Sequence, residues 1–164
     1  MNSKSDFTQS FKPLIFQNTE VLILGSLPGK KSLELNQYYG HSRNRIWSIL
    51  SYLKEKEMPT NYDDKKSFLK TMKIGLWDVC HSAIRKGSLD SNIKEEIPHN
   101  IDLLIKTNPS IKVIGLNGKK SEQMFYKFFK LNPVIKYIPL PSTSPANMAI
   151  SFEDICKKWS QLFP

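Results

Sequence analysis

Cysteine is scarce: the 164-residue chain has two, Cys80 and Cys156. Two thiolates cannot hold an iron–sulfur cluster, and residues so far apart in sequence form no recognisable metal motif. Buried free thiols in a reducing compartment are the expectation. No apolar run is long enough to span a membrane, and the polar N-terminus lacks the apolar core of a signal peptide. These absences point to a cytosolic protein without a membrane partner. Internal repeats, low-complexity segments and a Lys/Arg-rich tail are missing too. Acidic residues are in deficit, 15 Asp plus Glu against 24 Lys plus Arg, which gives a formal charge of +9. A folded domain with that excess favours a polyanionic partner, nucleic acid before anionic membrane. A lysine-rich proteome would produce the same balance, so charge alone leaves the two readings equal. The length fits one domain over residues 1–164 with a single core.

What the chain does have is alternation. Glu20 to Leu24, Ile74 to Val79, Ile111 to Leu116 and Val134 to Leu140 read as strands. Helical spacing marks Asn44 to Leu53, a short segment at Phe68, Leu69 and Met72, and the Ile101, Leu104, Ile105 stretch behind an Asn100 cap. Met124, Phe125, Phe128 and Phe129 share a helix face that suits the core. Ser151 with Asp154 resembles a capping box before a closing helix that carries Phe152, Ile155, Trp159 and Leu162. Met1 to Asn18 reads as an arm packed on the body, and Glu55 to Asp64 as a connection. Cys80 to Asn92 is too polar and glycine-punctuated for a regular element. Strands alternating with helices predict an α/β fold whose parallel sheet is covered on both faces. The loops after Leu24, Val79, Leu116 and Leu140 then emerge at one edge, where ligands bind in such sheets.

The loop after Leu24 organises the chain. It reads Gly25-Ser26-Leu27-Pro28-Gly29-Lys30-Lys31-Ser32-Leu33-Glu34, then Gln37-Tyr38-Tyr39-Gly40-His41-Ser42-Arg43-Asn44-Arg45-Ile46-Trp47. Two tyrosines suit stacking on a planar ligand, and Gln37, His41 and Asn44 can hydrogen-bond it. This loop resembles motif one of the uracil-DNA glycosylase superfamily, most closely its hypoxanthine-DNA glycosylase branch. Mismatch-specific uracil glycosylases carry Asn or another polar residue at the third position of the Gly25-to-Gly29 motif, where this chain has Leu27. Pro141-Ser142-Thr143-Ser144-Pro145-Ala146-Asn147 resembles motif two, which enters the minor groove and contacts phosphates flanking an extruded nucleotide. The resemblance spans about Val21 to Trp159. It implies a three-layer α/β/α sandwich with a central four-stranded parallel sheet. It also implies a monomeric, monofunctional DNA glycosylase with no metal and no organic cofactor. The substrate would be double-stranded DNA containing a deaminated base, hypoxanthine first and uracil or xanthine second.

Base excision makes the sugar oxocarbenium-like and leaves negative charge on the base, so charge stabilisation outweighs nucleophile strength. Asn44 is expected to orient the attacking water through its amide, with helix capping as the ordinary alternative. Asp78 is a second candidate for water activation; a carboxylate at a strand end also commonly accepts backbone hydrogen bonds. Leu27, Tyr38, Tyr39, His41 and Asp78 are the expected contacts of the base. Asn117 offers a donor and an acceptor to a base edge, unless Asn117-Gly118 merely turns the chain. Lys30, Ser142, Thr143, Ser144, Pro145 and Asn147 are expected on the DNA backbone, supported by Arg85, Lys86, Ser88 and Ser91. Lys30 or Lys31, if desolvated, would open a lyase route through a Schiff base at C1′. Leu27 favours another rival, a nucleic-acid-binding module that kept the scaffold and lost the reaction. His81 and His99 receive no role.

Overall fold

A computed structural model describes residues 6–164. The expected arm starts at Met1, so its first five residues lie outside the described residues. In chain order the strands are Phe7–Gln9 (β1), Val21–Gly25 (β2), Ile74–Asp78 (β3), Cys80–Arg85 (β4), Ile93–Pro98 (β5), Val113–Asn117 (β6) and Lys136–Leu140 (β7). The helices are Lys30–Leu35 (α1), Ile46–Leu53 (α2), Tyr62–Met72 (α3), Ile101–Thr107 (α4), Lys119–Phe128 (α5) and Phe152–Trp159 (α6).

Four of these strands pair in the order β3-β2-β6-β7, every pair parallel. All residues of β2 and β3 are buried, which is why they read as continuous apolar runs and not as alternating ones. The chain steps from β2 to β3 in one direction, then crosses back past β2 to β6 and β7. Right-handed crossovers therefore put the connecting helices on opposite faces, giving the α/β/α sandwich. Packing on the sheet is close at Gly115. A Cβ there would lie 2.9 Å from Leu162 Cδ2 and 3.0 Å from Leu140 Cδ1. The register also matters for function: Gly25 pairs with Asp78, Leu24 with Leu116, and Asn117 with Leu140. The strands thus stop at one level, and the four loops start from a common edge.

The segment from Cys80 to Asn92 corrects the sequence reading. Its first half is β4, which pairs antiparallel with both β1 and β5 in a second, three-stranded sheet. The buried residues of β4 are Cys80, Ser82, Ala83 and Arg85. A strand that buries serine and arginine shows no hydrophobic alternation, so the usual signal is missing. Within the arm, Phe7–Gln9 is a strand on this sheet, and Leu14 forms a further bridge to Leu76. Helix α1 was hidden for a related reason: Ser32 is its sole buried residue. Helix α3 begins inside the expected connection, where Asn61 accepts from the Asp64 N–H at 2.8 Å. The Asn100 and Ser151 caps form as expected, each accepting a backbone N–H at 3.1 Å. Met124 and Phe125 are buried, with Phe128 and Phe129 packed partly against the same core. Cys80 and Cys156 are buried free thiols.

Trp159 links the core to the loop after β7. It is fully buried, and its Nε1 donates to the Pro141 carbonyl at 3.0 Å. Trp159→Phe should leave that carbonyl without its partner and lower stability by about 1–3 kcal/mol, measured as a reduced urea midpoint at unchanged slope.

Candidate active site

A cavity of about 1000 Å³ opens at the carboxyl edge of the parallel sheet and is lined by all four predicted loops. The loops are tied to one another by polar groups. Asn117 Nδ2 donates to Tyr39 Oη at 3.2 Å and to Thr143 Oγ1 at 3.1 Å, while its Oδ1 accepts the Thr143 N–H at 3.1 Å. Arg45 donates its backbone N–H to the Thr143 carbonyl at 3.1 Å, and its guanidinium to Ile150 O at 2.8 Å and Asn147 O at 2.7 Å. On the other side, Ser26 Oγ donates to Asp90 Oδ1 at 2.7 Å and the Lys30 N–H to Ser88 Oγ at 2.9 Å. The Arg85 guanidinium reaches the carbonyls of Pro28 and Gly87.

Asn44 lies half-buried on the cavity wall. Its Oδ1 accepts the Ile46 N–H at 3.1 Å, so it supports the start of α2 from one residue before the N-cap, Arg45. That bond fixes the amide's orientation and leaves Nδ2 with no partner among the described residues. Support of the helix therefore uses Oδ1 alone and leaves Nδ2 directed by that bond.

Asn117 departs from its expected use. Both hydrogens of its Nδ2 are spent on Tyr39 and Thr143, so the amide joins two loops and has no free donor for a base edge. Thr143, expected on phosphate, is fully buried beneath its loop with its hydroxyl accepting from Asn117. Arg85 is also buried, bracing loop carbonyls and not the DNA backbone. Ser142, Ser144 and Pro145 are half-buried on the cavity wall. Asn147 lies there too, its Nδ2 donating to the Ser142 carbonyl at 2.9 Å. Lys86, Ser88 and Ser91 are exposed.

The two tyrosines divide. Tyr38 is buried against Phe11 and donates to the Lys12 carbonyl at 2.7 Å, so it is mainly part of the scaffold. Tyr39 is half-buried and lines the cavity, its hydroxyl raised in pKa by burial and then by the nearby Asp78 charge. Leu27 is buried on the same wall. His41 is exposed at the cavity; its Nδ1 accepts the Arg43 N–H at 3.1 Å, leaving Nε2 as the donor in the neutral ring. Lys30 and Lys31 are exposed, without the desolvation that a Schiff-base lysine requires. His99, which had no assigned role, is buried and stacks on Trp77 at 4.1 Å between ring centroids.

Asp78 is buried at the end of β3, and its Oδ2 accepts from Ser10 Oγ at 2.7 Å. Oδ1 takes no hydrogen bond among the described residues and faces the space above Gly25. A Cβ at position 25 would lie 2.6 Å from that oxygen and 3.2 Å from Tyr39 Oη, so the two side chains converge there only because the residue is glycine. Burial pushes the Asp78 carboxyl up to about 7, with the Ser10 hydrogen bond opposing, Asp90 reinforcing and Arg85 opposing.

Several site residues escaped the sequence reading. Ser10 and Phe11 reach the cavity region from the arm, and only tertiary pairing of β1 reveals this. Asp90 enters through a 3-10 turn inside a stretch read as irregular. Lys119 and Lys120 open α5 on the cavity wall. Their position directly after Asn117-Gly118 was a usable signal.

The sequence pattern of the Uracil DNA glycosylase superfamily matches residues 13–162. A protein named hypoxanthine DNA glycosylase from Methanosarcina barkeri is 45% identical over 114 residues, covering 69% of this chain and 72% of that protein. Another of that name, from Methanosarcina acetivorans, is 33% identical over 156 residues, or 94% of this chain and 97% of that protein. A solution NMR structure of a Methanosarcina acetivorans protein, designated among the uracil DNA glycosylases, superposes with a TM-score of 0.81 at 32% identity, covering 96% of each chain. A pattern match over nearly the whole chain, two relatives and a shared fold agree with the loop edge described above: the chain belongs to the uracil DNA glycosylase superfamily.

Proposed function

We propose that this DNA N-glycosylase removes a deaminated base from double-stranded DNA, hypoxanthine first and uracil or xanthine second, by flipping the nucleotide into the cavity for water attack at C1′. The observation that carries this reading is the free Nδ2 of Asn44 on the wall of a cavity that four strand-end loops enclose. Two relatives named hypoxanthine DNA glycosylase support hypoxanthine as the leading substrate. Flipping costs a few kcal/mol and is cheapest at mispairs. Stacking on Tyr39 offsets part of it, about 1–3 kcal/mol in comparable sites. Lys30, Lys31, Lys119 and Lys120 line the cavity and draw in the phosphates, while Ser142 and Ser144 hold them through hydroxyls. Asn44 fixes the water and Tyr39 with Asp78 receives the base. The exposure of Lys30 and Lys31 argues for water and against a lyase.

Purified protein should leave alkali-sensitive abasic sites in hypoxanthine-containing duplexes, with chelators having no effect and borohydride trapping nothing. Absence of cleavage for hypoxanthine, uracil and xanthine at excess enzyme would establish the binding-module alternative that Leu27 raised. A borohydride-trapped adduct at Lys30 or Lys31 would establish the lyase.

Asn44→Ala should slow single-turnover excision about 100-fold while leaving DNA affinity nearly unchanged. Loss of the Ile46 contact adds a stability cost of ~1 kcal/mol, read separately by thermal melting. Asn44→Asp keeps the acceptor for Ile46 but has no N–H donor for water, and should be about as slow as the alanine variant. A folded Asn44→Ala protein with the wild-type rate removes Asn44 from the mechanism.

Asn117→Ala should weaken binding to undamaged duplex as well as slow excision, because the loop around Thr143 loses its tie. Ser144→Ala should weaken binding to damaged and undamaged duplexes by similar factors. Wild-type affinity should fall steeply with added salt as phosphate counterions are released. An Asn117→Ala effect confined to the ratio of hypoxanthine to uracil excision would return the base-reading role to that residue.

A further inference from the structure

Deamination changes one group on the edge of a base. An exocyclic amine, which donates, becomes a carbonyl oxygen, which accepts: O6 in hypoxanthine, O4 in uracil. A site that selects the product over the parent needs a donor at that point. Asn117 has none to spare. An ionised carboxylate would repel the carbonyl, and would also repel the negative charge that collects on the departing base.

Asp78 lines the same cavity, and its burial opposes ionisation. It is buried, and Ser10 from the arm satisfies Oδ2. Oδ1 shares the space over Gly25 with the Tyr39 hydroxyl. The charged groups acting on it are Asp90 from the 3-10 turn, which opposes ionisation, and Arg85 from β4, which favours it. Arg85 spends its guanidinium on the Pro28 and Gly87 carbonyls and forms no ion pair with Asp78. Tyr38 and Tyr39 from the organising loop, and Cys80 behind, are the other titratable groups near it.

We propose that Asp78 works in its protonated form, donating from Oδ1 to the carbonyl oxygen that deamination has placed on the base. The proposal rests on the reading that a deaminated base enters this cavity. As the bond from C1′ to the base nitrogen breaks, its electron pair leaves with the base and charge spreads onto the carbonyl oxygen. The hydrogen bond from Asp78 strengthens, and Asp78 keeps its proton throughout. Water adds its oxygen to C1′, and the proton it releases ends on the base nitrogen, giving a neutral free base and an abasic sugar. A buried neutral carboxylic acid used as a donor has precedent in enzymes that stabilise oxyanions.

The sign of the pH dependence separates this role from general-base catalysis. With its carboxyl raised to about 7, Asp78 is protonated below that pH and ionised above it. Activity should therefore be retained at low pH and lost as pH rises through that value; a general base gives the opposite limb. The test is kcat/KM on a hypoxanthine duplex from about pH 5 to about pH 9. Wild type should fall about tenfold per pH unit above the midpoint. Asp78→Asn, which keeps an uncharged donor, should lie within about tenfold of wild type at low pH and lose the alkaline limb; Asp78→Ala should be about 100-fold slower. Ser10→Ala should move the midpoint upward, since the hydrogen bond it removes favours the carboxylate. A rate that rises or stays flat through the midpoint, a limb that survives in Asp78→Asn, or an asparagine variant as slow as alanine overturns the role. Should the Asp78 variants not fold, the direction of the wild-type limb and the Ser10→Ala shift decide. A wild type that excises nothing overturns the proposed function and this role with it, whereas excision with the opposite limb overturns this role alone.

Discussion

The cavity depends on one primary amide. Asn117 ends β6, and three hydrogen bonds of 3.1–3.2 Å carry it to the tyrosine of one loop and the threonine of another. Strands fix where loops begin, but not where they go afterwards. The amide supplies that second constraint, because a donor pair and an acceptor in one plane define direction as well as distance. Arg45 repeats the tie from the opposite side, holding the carbonyls of Asn147 and Ile150. Between them the loop after β7 is gripped at both ends.

The parallel sheet was legible because β2 and β3 bury every residue, and a run such as Val21 to Leu24 has no other easy explanation. Convergence of the four loops followed from topology alone. The second sheet was not legible, since β4 hides Ser82 and Arg85 where an apolar pattern would normally stand. The site was half visible. Asn44 and Asp78 were named from residue type and place, and both line the cavity. Asn117 and Thr143 were named for ligand contacts, yet they bond each other. An amide near a sheet edge looks the same in sequence whether it faces a ligand or a neighbouring loop, and only the distances separate the two.

Charge is distributed by depth. The chain carries a formal +9, and Lys30, Lys31, Lys119 and Lys120 belong to the cavity's wall. Three carboxylates share that cavity: Asp78 is buried, Asp90 half-buried, and Glu34 exposed beside Lys31. Lys30, Lys31 and Lys119 are exposed to water, where they attract phosphate at long range, as steering requires. Asp78, removed from water, resists ionising, so it can sit in the same depression without cancelling that attraction. Solvent exposure, more than residue count, sets which sign an approaching strand meets.

The arm gives the candidate site a history in time. Ser10 and Asp78 are 68 residues apart in sequence, and β1 has no partner until β4 exists. During synthesis β1 emerges before β4, so it must wait for the strand it pairs with. The hydroxyl bound to the Asp78 carboxyl thus comes from a segment that the second sheet holds in place. Detachment of the arm would therefore strip Oδ2 of that partner and also remove the Leu14 bridge to β3.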